Sequence, residues 1–174
     1  CGVARYEIVP ELSIVWIDAT SSVHPIHSRT DGLTGWIDVT LTKAGRISAA
    51  SNAILAAHIE LPVDRLRSGN PLEDRELRRR IDAKRHPTIT GDLTSIDPAD
   101  AMDRYLITGD ITFRGVTRPH EGEMDLEVLD DGDLRWTGSS TFDVRDFGME
   151  PPRILMLRVH PEVDVRVEVI ARPA

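Results

Sequence analysis

One stretch of the sequence, residues 105–118, decides the fold and reads YLITGDITFRGVTR. Apolar or small residues fall on every second position, and most of the positions between them are polar. The alternating set is Tyr105, Ile107, Gly109, Ile111 and Phe113. A period of two is typical of a β-strand with one covered face and one face in water. Gly115 and residues 117–119 then interrupt the pattern, as a turn does.

The same alternation recurs along most of the chain. It is found at residues 15–19, 37–42, 55–63, 121–128, 134–144 and 159–169. Strands buried on both faces, as in a parallel sheet, would read as continuous apolar runs, so the pattern predicts antiparallel strands. The turn sequence at residues 130–133, DDGD, is typical of a hairpin between two of them. About eight such strands hide their edges either in a closed barrel or in a two-sheet sandwich, and periodicity alone leaves both open.

One segment, residues 71–85, departs from this rhythm and reads PLEDRELRRRIDAKR. Its few apolar residues lie near helical spacing, and its acidic residues precede its basic ones, an order that complements the helix dipole. Asn70 is a suitable N-cap, Pro71 suits the first helical position, and His86-Pro87 ends the segment. We therefore predict one amphipathic helix that lies over the wall or mouth of the sheet, with its arginines on a solvated face.

Composition restricts the class of protein. A chain of 174 residues is most simply one domain, residues 1–174, and 40% hydrophobic with 29% charged residues suits a globular protein. The net charge of -8 argues against binding to nucleic acid or to an anionic membrane. No basic segment followed by an apolar one begins the chain, which predicts a cytoplasmic protein as the chain stands. A signal removed before Cys1 would instead place the protein in the periplasm or cell envelope, or outside the cell.

The one cysteine, Cys1, excludes an intramolecular disulfide. A cysteine at this position would suit the lipid-modified end of a lipoprotein. Strand-like sequence begins at residues 6–8 without the usual flexible spacer, however, so we do not expect lipidation.

Two motifs in the second half of the chain are residues 109–118, GDITFRGVTR, and residues 145–148, RDFG. Further matching segments are residues 6–8, 13–16, 59–69 and 86–90. In this order they resemble the YceI-like family, whose members resemble lipocalins and bind polyisoprenoids or other long apolar chains. The resemblance runs through nearly the whole chain. It implies an all-β fold, an antiparallel eight-stranded lipocalin-like barrel with one amphipathic helix over about residues 71–85.

The chain departs from the family pattern in two places. Residues 21–31 look like a short insertion, an apparent loop that contains His24 and His27. Gly91 stands where the family usually has an aromatic residue, and aromatic residues make up only 5% of the chain. Small and aliphatic side chains should therefore line the interior. We therefore expect the chain to bind the same kind of ligand as the family, in a cavity of different shape.

The alternation and the resemblance together predict which side chains face the interior and contact a ligand. They are Leu55, Ala57, Ile59, Ile89, Gly91, Leu93, Ile107, Ile111, Phe113, Met124, Leu126, Trp136, Phe142 and Phe147. Such residues either interdigitate as a packed core or surround one ligand, and periodicity does not distinguish the two. The resemblance implies a real cavity, in which the missing side-chain volume at Ala57 and Gly91 leaves space. Each methylene group buried there is worth about 0.8 kcal/mol.

Polar candidates are few. Arg145 is a possible contact for a phosphate or quinone head group, or else it pairs with Asp146 at a strand end. Phe147 then plugs the barrel and Gly148 permits a turn. His24 and His27, even with Asp31 nearby, are too few ligands for a metal site, so none is expected. We predict that His58, His120 and His160 lie at outward or turn positions of their strands.

The leading functional prediction is a non-enzymatic carrier without a cofactor. Its ligand would be one long apolar molecule, such as a polyisoprenoid, an isoprenoid quinone or a fatty acyl chain. Catalytic motifs such as G-x-S-x-G and H-E-x-x-H are absent from the sequence. One alternative is an isomerase- or cyclase-like enzyme on the same barrel, with His24 or His27 as base; another is a filled barrel that serves as an interaction module. A homodimer through an edge formed by residues 163–169 is also expected.

Overall fold

The computed structural model describes residues 2–48, 55–151, 153–154 and 156–174, without the side chains of Leu55 and Ile154. Cys1 lies outside the described residues. The described strands are β1 (Gly2–Ile8), β2 (Ile14–Ser21), β3 (Pro25–Thr30), β4 (Thr34–Leu41), β5 (Leu55–Pro62), β6 (Thr88–Pro98), β7 (Arg104–Phe113), β8 (Val116–Val128), β9 (Leu134–Asp143), β10 (Arg153–Ile154) and β11 (Leu157–Pro173). The described α-helix is α1 (Pro71–Ile81). No helix within the described ranges is long and apolar enough to cross a membrane.

Eight strands close an antiparallel barrel, in the order β1-β4-β5-β6-β7-β8-β9-β11. The ring closes because β11 pairs with β1 from Ala171 to Pro173. The predicted eight-stranded barrel is therefore confirmed, and the sandwich that periodicity left open is excluded.

Strand β11 is long enough to pair with two strands, β2 and β1, along the same edge. Its first part pairs with β2 from Val159 to Glu168, and its end pairs with β1. The chain bends between β1 and β2 at Ser13, whose side chain is fully buried. The Ser13 hydroxyl donates to the carbonyl of Val9 and accepts the amide hydrogen of Ile170, which anchors the bend to β11.

The edge predicted for dimerisation is wrong. Residues 163–168 of β11 are paired with β2 on one side and with β9 on the other. Both rows of backbone hydrogen-bonding groups are used within the chain, so this stretch has no free edge for a second copy.

The predicted loop at residues 21–31 is also wrong. Residues 21–31 contain strand β3, which forms a hairpin with β2 outside the eight-stranded ring. The two strands are paired from Val15 opposite Thr30 to Thr20 opposite Pro25. Three of the six residues of β3 are exposed, and only Thr30 is buried. Its sequence, PIHSRT, therefore lacks the apolar alternation by which the other strands are recognised.

Helix α1 begins as predicted and ends earlier. The side chain of Asn70 accepts the amide hydrogens of Leu72 and Glu73, and Pro71 occupies the first turn. The helix stops at Ile81 rather than near residue 85 because Asp82 adopts a left-handed conformation, with φ of 57°. Its amide hydrogen closes the last turn on the carbonyls of Arg78 and Arg79.

The barrel is packed at one end and hollow at the other. The packed end lies where β1 joins β4 to β11. Its buried residues include Tyr6, Ile37, Val39, Leu126, Leu134 and Ala171. The hollow part faces α1, whose Leu77 and Ile81 line the cavity described below.

Candidate functional site

A cavity of about 300 Å³ lies inside the barrel, at the lower end of the range for small-molecule sites. Strands β2, β5 to β9 and β11 supply its walls. Nearly all of its lining is apolar. The arrangement can therefore shield an apolar molecule from water without offering it many directional contacts.

Most of the predicted interior residues line this cavity. They are Ala57, Ile59, Ile89, Gly91, Leu93, Ile107, Ile111, Phe113, Met124, Trp136, Phe142 and Phe147. Leu126 is buried in the packed end of the barrel instead and does not line the cavity. The side chain of Leu55 lies outside the described residues. Contact of these side chains with a ligand stays a prediction.

Two groups stand out among the lining residues that the sequence-based prediction missed. The first group is Val163, Val165, Val167 and Val169 on β11, whose alternation was visible in the sequence. The second group, Leu33, Leu66 and Met149, comes from connections between strands and helices. A loop residue carries no periodic signal, so only the folded chain shows where it points.

Each of four neighbouring strands, β6 to β9, places one glycine on the cavity wall: Gly91, Gly109, Gly122 and Gly138. A methyl group on Gly91 would come within 2.9 Å of the Ile59 side chain. Gly91 therefore accommodates a neighbour rather than leaving empty space, which corrects the sequence-based expectation. A methyl group on Gly122 would meet nothing closer than the Ser140 hydroxyl at 3.9 Å. The wall therefore has unfilled space beside Gly122.

His120 lines the cavity, contrary to the outward position assigned to it. The error came from placing the turn at residues 117–119. The turn is at Arg114 and Gly115, both of which have positive φ, so β8 already begins at Val116. His120 then falls on the same face of the strand as Gly122 and Met124.

The His120 ring is held by two contacts across the wall. Its Nε2 is hydrogen-bonded to the hydroxyl of Ser140, and its ring stacks on Phe142 with centroids 4.1 Å apart. Ser140 and Phe142 both line the cavity as well. Desolvation lowers the pKa of His120, so the imidazole is neutral at neutral pH.

These residues bridge a gap in the backbone pairing of the wall. Strand β8 pairs with β9 only from Met124 to Val128, although it pairs with β7 from Val116 onward. Strand β9 in turn pairs with β11 as far as Asp143. Before Met124 in β8 and after Gly138 in β9, the two strands are no longer paired through their backbones. Side chains close the wall in this region.

Arg145 does not line the cavity. Its side chain is 63% exposed and donates to the carboxylate of Asp143 at 2.6 Å, so the pairing with Asp146 is wrong. This hydrogen bond holds the pKa of Asp143 below its usual value. Phe147 is buried, packs edge-to-face on Phe113 and lines the cavity, and its role as a plug stays a prediction.

Arg114 fixes the helix over the hollow end. Its guanidinium donates to the carbonyl of Arg80 in α1 at 2.9 Å and to the carbonyl of Gly148. This side chain joins the β7–β8 turn to the last turn of α1 and to the connection that carries Phe147.

The two histidines considered as metal ligands or catalytic bases lie away from the cavity. His27 contacts Asp18 at 2.6 Å on the outer hairpin, and His24 lies 3.8 Å from Glu73. Among the described residues, no three His, Cys, Asp or Glu side chains are arranged to hold a metal ion.

A second depression lies on the outer wall, has a volume of about 700 Å³ and is lined mainly by charged residues of β8, β9 and β11. Those charges are engaged with neighbours on the same surface. Arg104 contacts Asp125 at 3.1 Å, and Arg166 stacks on Trp16 at 4.4 Å. The inner cavity is therefore the better candidate for a binding site.

The family model of the YceI-like domain matches residues 6–171. No curated protein matches the sequence at a significant level.

Several solved structures share the fold. Burkholderia cenocepacia BcnA is 15% identical, with a TM-score of 0.76 over 94% of this chain and 98% of that one. A polyisoprenoid binding domain from Saccharophagus degradans, implicated in plant cell wall breakdown, is 12% identical, with a TM-score of 0.72 over 97% of this chain and 98% of that one. The YceI protein of Campylobacter jejuni is 14% identical, with a TM-score of 0.63 over 84% of each chain. At these identities, the likeness shows the fold alone.

Proposed function

Because this chain belongs to the YceI-like family, we propose that it binds one apolar chain molecule, an isoprenoid or fatty acyl derivative, inside its barrel. It acts as a carrier rather than as an enzyme. The observation that carries the proposal is the cavity of about 300 Å³ inside the barrel, with its almost wholly apolar lining. The polyisoprenoid binding domain from Saccharophagus degradans, which shares the fold, supports the same class of ligand.

The cavity volume limits how much of a ligand is enclosed. A methylene group is about the size of a water molecule, which takes up roughly 30 Å³, so the cavity holds about ten methylene groups. Burying them is worth about 8 kcal/mol at roughly 0.8 kcal/mol each. That gross energy corresponds to a dissociation constant of about 1 µM before the lost freedom of the ligand is subtracted. A ten-carbon probe should therefore bind with a dissociation constant no lower than about 1 µM.

Native mass spectrometry of protein purified without detergent tests the proposal. We expect a bound lipid that organic extraction removes, and we expect the extracted protein to take up isoprenoid or acyl probes. Binding should change the fluorescence of Trp136, which lines the cavity, in a variant that has Trp16 and Trp36 replaced by Phe. An extracted, folded protein without affinity for any of these probes would contradict the proposal.

A further inference from the structure

We propose that His120 and Ser140 form a binding site for the uncharged, hydrogen-bonding head group of the apolar ligand, such as an alcohol or a quinone carbonyl. This inference rests on the proposed function, because it concerns the same cavity.

The pair stands out because the cavity around it is apolar. His120 and Ser140 both line the cavity, as do Phe142, Gly122 and Met124 next to them. A polar group that faces an apolar cavity costs free energy unless it finds partners. Here the two side chains satisfy one another through a single hydrogen bond. Their remaining hydrogen-bonding capacity is unused within the described residues.

The local geometry leaves room for a head group at this point. Strands β8 and β9 part beyond Met124 and Gly138, so no backbone ladder fills the wall there. Gly122 has no side chain, and a Cβ placed on it would lie 3.9 Å from the Ser140 hydroxyl. A small group of heavy atoms therefore reaches Ser140 without displacing the strands.

The hydrogen-bond inventory selects the chemistry of that group. A neutral imidazole has one donor and one acceptor nitrogen, and a serine hydroxyl both donates and accepts. Whichever of the two donates in the His120–Ser140 bond, the pair keeps one donor and two acceptor sites for a ligand. A hydroxyl group uses the donor and one acceptor, whereas a carbonyl uses the donor.

The charges around the cavity disfavour an anionic head group. No lysine or arginine occurs among the cavity-lining residues that the structure describes. The charged residue that does line it is Asp92, whose carboxylate is bound to His58 at 2.6 Å. A phosphate would lose its hydration without gaining a cation, which is strongly unfavourable.

A serine next to a histidine also suggests acyl transfer, but the rest of that machinery is missing from the described residues. Catalytic histidines of this kind are oriented by a carboxylate or similar group on the second ring nitrogen. The Nδ1 of His120 has no such hydrogen-bond partner among the described side chains, and the lowered pKa arises from desolvation alone. Head-group binding is the simpler use of the pair.

Calorimetric titration with matched probes tests the inference. The probes are geraniol, the same hydrocarbon without its hydroxyl, and geranyl phosphate. The variants are Ser140→Ala and His120→Gln, with Ser95→Ala and His160→Gln as controls at exposed positions. We expect Ser140→Ala to weaken geraniol binding about 3- to 10-fold, the effect of one lost hydrogen bond, and to leave the hydrocarbon unchanged. His120→Gln should act in the same direction, and the controls should match the parent protein for every probe.

Three results would overturn the inference and leave the proposed function intact. In the first, Ser140→Ala weakens geraniol and the hydrocarbon equally, which makes the pair part of the wall only. In the second, geranyl phosphate binds more tightly than geraniol and loses affinity in His120→Gln, which makes the site anionic. In the third, the protein hydrolyses geranyl acetate and Ser140→Ala abolishes this activity. If geraniol, the hydrocarbon and an acyl probe all fail to bind the folded parent protein, the proposed function itself fails.

Discussion

At the scale of single residues, the barrel depends on a few polar side chains with defined partners. Ser13 is fully buried and bonds the backbone at a bend, while Asp74 is buried and accepts from the amide and hydroxyl of Ser68. His58 and His120 have opposite environments. His58 lies between two carboxylates on the outer wall, and His120 lies in the apolar cavity. Each position therefore makes its own prediction.

Replacing Ser13 by alanine should lower the free energy of unfolding by about 1–3 kcal/mol, because the amide of Ile170 loses a partner at a buried site. Chemical denaturation measures the change. Ser95→Ala at an exposed position is the matched control and should stay within about 0.5 kcal/mol of the parent. Equal effects of the two substitutions would contradict the anchoring role of Ser13.

His58 should make the stability depend on pH. Hydrogen bonds to Glu60 and Asp92 raise the pKa of His58 above 6.5 in the folded protein. The protonated ring donates through both nitrogens, so the stabilisation is fully present below pH 6.5 and is lost as the pH rises through the raised pKa. In the parent protein, the free energy of unfolding should fall as the pH rises from 6.5 through the raised pKa. We expect a smaller fall over the same pH range in His58→Gln. The same slope in both proteins would refute the prediction; His160→Gln serves as the control.

At the scale of elements, helix α1 acts as a cover held by specific contacts. Asn70 caps its start, and Arg114 binds the carbonyl of Arg80 near its end. Leu77 and Ile81 then face the cavity. The ion pair between Arg80 and Glu76, four residues apart, adds support on the helix itself.

Substitution of Arg114 by alanine should loosen this cover. Hydrogen bonds from a charged group are worth about 1.5–3 kcal/mol, and two are lost here. We expect faster hydrogen exchange in α1 and faster release of a bound probe. Arg118→Ala is the matched control, because Arg118 is exposed and bonds only the neighbouring carbonyl of Thr117 among the described groups. Unchanged exchange in α1 would exclude the role assigned to Arg114.

At the scale of the whole molecule, the same barrel is a packed core at one end and a container at the other. Tyr6, Leu126 and Leu134 fill the end where β1 closes the ring. The hollow end has glycines on four adjacent strands and a helix across it. The residues that stabilise the fold and the residues that surround a ligand therefore lie at different ends of the barrel. Cavity-lining residues can be substituted without changing the packed core.

Filling the cavity at Gly122 should weaken ligand binding and keep the fold. The space beside Gly122 is open, and valine suits a strand better than glycine, so Gly122→Val should be at least as stable as the parent. We expect a probe to bind at least 10-fold more weakly, measured by Trp136 fluorescence.

Gly109→Ala provides the contrast, because its methyl group would lie 2.8 Å from the backbone carbonyl of Asp92. That variant should be destabilised, with the loss measured by denaturation. If Gly122→Val binds the probe as the parent does, the ligand does not occupy this cavity.

Much of the fold was predictable because its signals are local. Alternation at residues 105–113 marks β7, and Asn70-Pro71 marks the start of α1. Where a local signal was weak, the prediction failed. Strand β3 has little apolar alternation, and Asp82 ends α1 through a left-handed conformation that its sequence does not announce.

By itself, the sequence determined the antiparallel strands, the capped helix and most of the residues that face the interior, because periodicity and turn chemistry act over a few residues. Only the tertiary structure decided which end of the barrel is hollow and which glycine leaves space. It also brought His120 on β8 against Ser140 on β9. These features depend on the register of strands and on where two of them part, and register is a relation between distant segments that no single stretch of sequence contains.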